Sequence, residues 1–199
     1  MSFTRIMLPT AVIVAMAAAI ANSAEIDCGA ESSSYCVPNS QGATVIKATS
    51  SNDEVTGTTG KDIIKGKAGD DVIFCGPGND TANGGNGDDR ISCGDGDDII
   101  FGNKGRDVLD GDAGDDRIRG GLDEDTIQGG TGNDELYGHS GSDNFDGQAG
   151  NDRILAIDGE SDEISCGPGA DRVRADKEDT VAADCELVHI AGSKDGIDA

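Results

Sequence analysis

The chain has 199 residues, with 39 acidic against 15 basic side chains, a formal charge of −24, 31 glycines, 3% aromatics and no tryptophan. A charge of that sign argues against nucleic-acid binding, since nothing in the chain could replace the phosphate counterions. Acid-rich, aromatic-poor chains cannot build an ordinary globular core and tend to disorder, unless the acids fall on a period.

Taken in order, residues 1–24 read as a secretory signal. Arg5 gives the basic start, Ile6 to Ala19 is an almost unbroken apolar run, and cleavage is expected after Ala21 or Ala24. The run is too short and too rich in small residues for a membrane anchor. Export is the reading: secreted, with periplasm or cell surface as alternatives, and no transmembrane segment once the signal is gone. Residues 25–56 form a leader with a turn at Pro38-Asn39-Ser40, a strand at 43–46 and a degenerate coil at 48–56. That coil keeps Asp53 and Val55 but has no glycine, as a capping repeat would.

Residues 57–155 are eleven nonapeptides without an insertion, from GTTGKDIIK to GQAGNDRIL. Position one is Gly except at Cys75 and Cys93, and position four is Gly except at Asp123. Position six is always Asp: Asp62, Asp71, Asp80, Asp89, Asp98, Asp107, Asp116, Asp125, Asp134, Asp143 and Asp152. Position eight is always apolar, with Ala82 the smallest and Phe145 the largest. This pattern, G-G-x-G-x-D-x-U-x, resembles the repeats-in-toxin (haemolysin-type) calcium-binding nonapeptide family. The resemblance implies an all-β fold, a right-handed parallel β-roll in which six residues turn, three form a strand, and two nonapeptides close a coil.

Eighteen-residue coils put residues eighteen apart over one another at about 4.8 Å. The aspartates then form two ladders, one through Asp62, Asp80 and Asp98 to Asp152, the other through Asp71 and Asp89 to Asp143. Carboxylates that close repel unless a cation lies between them. Ca2+ suits the gaps, being hard, oxygen-seeking and tolerant of irregular geometry, whereas magnesium demands a compact octahedron. Two aspartates from successive turns plus loop carbonyls would make each site, about nine in all, more if end coils bind. Position four needs a backbone conformation that glycine reaches freely and Asp123 can tolerate.

Beyond Leu155 the phase slips. Residues 156–182 hold imperfect repeats that place Asp162, Asp171 and Asp179 as further candidates after Asp53, and 183–199 is a cap and tail. Six cysteines in an exported chain imply disulfides, with fifteen formal pairings. Short spacing favours Cys28–Cys36 and Cys166–Cys185. The eighteen-residue stacking puts Cys75 over Cys93, within the 4.4–6.8 Å that a bridge spans, roughly.

His139 and His189 are the two histidines, and neither has a metal-ligand partner at useful spacing. No H-E-x-x-H helix and no G-x-S-x-G elbow occurs, so no catalytic residue is assigned and the chain is read as a binding protein, not an enzyme. A rival reading is a surface or matrix protein contacting a polysaccharide or cell-surface partner. Position seven mixes Ile, Val, Thr, Arg, Glu and Asn, which makes no regular threonine face for such a ligand.

Overall fold

The computed structural model describes residues 24–27, 35–36 and 44–191. The signal segment, Cys28 with its pairing to Cys36, and the tail beyond Ala191 lie outside these residues.

The fold is an all-β solenoid of parallel strands. The chain alternates between a ten-stranded and a nine-stranded sheet. Asp62–Ala68 lies in the first, Val72–Phe74 in the second, and Thr81–Asn86 back in the first. Each strand pairs with the one a coil later: Ile63 with Thr81, Ile73 with Ile91, Ile118 with Leu136. A coil is therefore two nonapeptides.

Position eight explains the stacking. Ile64, Ile73, Ile100, Leu109, Ile118, Ile127, Leu136, Phe145 and Ile154 are fully buried, flanked on each strand by partly or fully exposed residues. Burying one such side chain contributes about 1.5–3 kcal/mol. With only two per coil, no coil stands alone, and the core forms by stacking. Phe145 fits because a Cβ on Gly138 would stand 2.8 Å from its Cζ; the glycine makes room for the ring.

The degenerate coil is a genuine coil: Thr44–Lys47 pairs with the strand beginning at Asp62, and Glu54–Thr56 pairs with Val72–Phe74. Past Leu155 the register absorbs both irregularities. Phe145 pairs with Ile164 and Ile154 with Val173, nineteen residues on, and Ile164 then pairs with Val181, seventeen on. The loops take up the extra and missing residues, so the buried column continues. The C-terminal cap is itself a strand, Leu187–Ile190, added to the ten-stranded sheet.

The turns contain two left-handed positions. Position four behaves as its glycine suggests: Gly132 has φ 134°, and Asp123 takes φ 76° in place of glycine. Position two is also left-handed from the second strict repeat onward, including at Lys67 (86°), Asn103 (82°), Asp112 (70°), His139 (75°) and Gln148 (64°). Asn and Asp tolerate that region, whereas Lys, His and Gln adopt it against their preference.

Candidate metal centre

The position-six aspartates stand immediately before the strands, or at the first strand residue for Asp62, and are almost wholly buried; Asp62 is 0% exposed and Asp116 2%. Each uses one carboxylate oxygen in the same way. The Asp62 N–H donates to Asp80 Oδ1 at 2.7 Å, Asp98 N–H to Asp116 Oδ1 at 2.7 Å, and Asp125 N–H to Asp143 Oδ1 at 2.9 Å. The chain of bonds runs from Asp53 onward through the strict repeats and on to Asp162, Asp171 and Asp179. It ends at Glu186, whose Oε2 accepts from Asp171 N–H at 3.0 Å.

The other oxygen is different. Oδ2 of Asp71, Asp80, Asp89, Asp98, Asp107, Asp116, Asp125, Asp134, Asp143, Asp152 and Asp171 is buried without a hydrogen-bond partner. An ionised oxygen left like that is expensive. Burial raises these carboxyls from 3.8: Asp116 and Asp125 to about 8, Asp71, Asp98, Asp107 and Asp152 to about 7. Asp80, Asp89, Asp134 and Asp143 rise to about 6, and Asp162 to about 7, by the same cause. In each case the backbone N–H of the preceding coil pulls the value partly back, and neighbouring acids add to the rise for most of them. Bare carboxylates are thus unfavourable here, and a cation would restore them.

Glycine at position one shapes the space around Oδ2. A Cβ on Gly129 would stand 2.6 Å from Asp134 Oδ2 and 2.7 Å from Gly147 O; on Gly147 it would stand 2.7 Å from both Asp152 Oδ2 and Cys166 O. Oxygens from two coils therefore converge on a cradle that a side chain would fill. That donor set, hard oxygens from carboxylate and backbone, is what Ca2+ takes. Because Oδ1 is engaged by the neighbouring N–H, each gap offers one open carboxylate oxygen together with carbonyls. No group of three His, Cys, Asp or Glu side chains converges among the described residues.

Two residues beside the ladders were not legible as functional. Thr58 donates to Asp62 Oδ2 from its N–H at 2.6 Å and its hydroxyl at 2.9 Å, and Thr49 does the same to Asp53 Oδ2 at 2.6 and 2.7 Å. Both stand at position two. The acids of position five are exposed but also cap the next coil: Asp115 Oδ1 accepts from Asn133 N–H at 2.8 Å, and Asp97 Oδ1 from Asp115 N–H at 3.1 Å. Arg117 and Arg153 face outward and flank Glu135 at 2.7 and 3.6 Å. Half-exposed, such pairs contribute at most about 1 kcal/mol each. His139 stacks on Tyr137 at 6.2 Å.

Cys75 and Cys93, eighteen apart with Cα atoms 4.4 Å from each other, form a disulfide between adjacent coils. Cys166 and Cys185 form another with Cα atoms 5.2 Å apart. No helix of the described residues is long and apolar enough to cross a membrane.

Comparison with known families finds the RTX calcium-binding nonapeptide repeat (4 copies) at residues 40–73, 47–82, 56–91, 94–127 and 119–154. Together these cover more than half of the chain. No curated protein matches it. Stacked aspartate ladders, glycine-shaped cradles and the matched repeats agree with one another, and the chain belongs to the RTX calcium-binding nonapeptide repeat family.

Proposed function

We propose that this is an exported calcium-binding protein whose β-roll folds on its ions. The carrying observation is the row of buried, unpartnered Asp Oδ2 atoms beside converging backbone carbonyls. Asp62, Asp71, Asp80, Asp89, Asp98, Asp107, Asp116, Asp125, Asp134, Asp143 and Asp152 line the gaps of the strict repeats, with Asp53, Asp162 and Asp171 at the ends.

Calcium supplies positive charge and replaces the hydration that burial removes. The chain's own atoms do the rest. Backbone N–H groups hold each carboxylate by Oδ1, which aims Oδ2 into the gap, and glycine keeps the gap open. Because the ladders exist only when coils stack, metal bound to them stabilises the folded state by mass action. Export is supported by the apolar stretch near residue 10 and by two disulfides, bonds that persist in oxidising compartments. The role is binding, not catalysis. The test is refolding of the chelator-stripped protein by calcium, with magnesium as control.

A further inference from the structure

Aspartate stands at position six in every strict repeat, but the room beside it is decided by position one. Where that residue is glycine, a Cβ would come within 3.0 Å of the Oδ2 of its own repeat, as at Gly66 with Asp71, Gly111 with Asp116 and Gly129 with Asp134. Cysteine at 75, 93 and 166 supplies that Cβ and adds a sulfur. All three are fully buried, and each is bridged to the next coil or, for Cys166, to the cap. The disulfide Cys75–Cys93 therefore lies where the register puts the cradles of Asp80 and Asp98, and Cys166 lies in that of Asp171.

The N-terminal end is closed by other atoms. Asp62 has glycine at position one, but its Oδ2 already accepts two hydrogen bonds from Thr58. Asp53 Oδ2 is held likewise by Thr49, with the buried Ala48 at position one. Two donors thus satisfy the oxygen in place of an ion: the threonine hydroxyl, and a backbone N–H at a position two that here is not left-handed.

We infer, resting on the calcium reading above, that position one, together with a threonine at position two in the first coils, selects which aspartates hold an ion. Eleven aspartates have an orphaned Oδ2; setting aside Asp80, Asp98 and Asp171 beside cysteines leaves eight. One ladder loads from Asp71 to Asp143, and the other loads only at Asp116, Asp134 and Asp152. Protein donors replace the ion at Asp53 and Asp62, whereas at Asp80, Asp98 and Asp171 a cysteine takes the position beside an oxygen that keeps no hydrogen-bond partner. The ladders are consequently unequal. The first coils are stapled covalently and by threonine on one side, and by ions on the other.

Calcium stoichiometry by native mass spectrometry under non-reducing conditions tests this. Eight ions are expected for the unaltered protein, ten for Cys75→Gly/Cys93→Gly and nine for Thr58→Gly. Absence of any gain in the folded variants overturns the inference. Should a variant not fold in calcium, the unaltered protein decides: eight ions support the inference, and any other number from one upward overturns it. An unaltered protein that binds no calcium overturns the calcium reading itself.

Discussion

Gly129→Ala isolates the cradle from the charge. The substitution leaves every carboxylate in place, and Gly129, unlike Gly130 beside it, is not at a left-handed position. The added Cβ would stand 2.6 Å from Asp134 Oδ2 and 2.7 Å from Gly147 O. The aspartate side chain can swing, but the Gly147 carbonyl belongs to the backbone of strand Asn144–Ala149 and has less room to move. An ion at one hundred times its Kd contributes about 2.7 kcal/mol, and overpacking adds about 1–3 kcal/mol. In saturating calcium the variant should therefore lose about 4–6 kcal/mol, and in chelator only the overpacking part. Denaturant unfolding at both conditions, with a calcium count, measures the difference. Equal destabilisation with and without calcium, or an unchanged ion count, would refute the idea that this space is a metal cradle.

Two further outcomes follow from the same geometry. The ladder carboxyls have folded values raised to about 6–8 from 3.8, so the metal-free fold binds protons that the unfolded chain releases. That stabilisation is complete below about pH 4 and is lost as pH rises through 6–8. Acidifying the chelated protein from pH 8 to 5 should raise its β-sheet circular dichroism, while apparent calcium affinity falls over the same range; a flat apo response would contradict the burial of these groups. Separately, Leu136→Ala empties a fully buried position-eight site and should destabilise the calcium-loaded protein by about 2–5 kcal/mol. A loss below about 1 kcal/mol in urea unfolding would mean that the column is not the core.

The repeat made the architecture readable because one period fixes coil length, buried column and ladder at once. Asp162, Asp171 and Asp179 could be placed past Leu155 because the loops tolerate a residue more or less while the strand register does not. The Cys75–Cys93 bridge follows from the same eighteen-residue stacking. Other features were hidden for identifiable reasons. Position two is left-handed, yet Lys67, His139 and Gln148 occupy it, so composition gives no uniform glycine signal. Glu186 closes a ladder fifteen residues after Asp171, outside any repeat spacing. Thr49 and Thr58 look like ordinary loop residues until the orphaned Oδ2 elsewhere shows what their hydrogen bonds replace. The engagement of Oδ1 by a neighbouring N–H is likewise a property of stacked coils, not of one nonapeptide.

The most direct test of calcium as the cement is circular dichroism of the chelator-stripped protein, disulfides intact, titrated with calcium and separately with magnesium at pH 7.5. A steep gain in β signal with calcium alone is the result this account requires. A stripped protein already folded and indifferent to calcium would contradict it, leaving the ladders as buried acid on a disulfide-held scaffold.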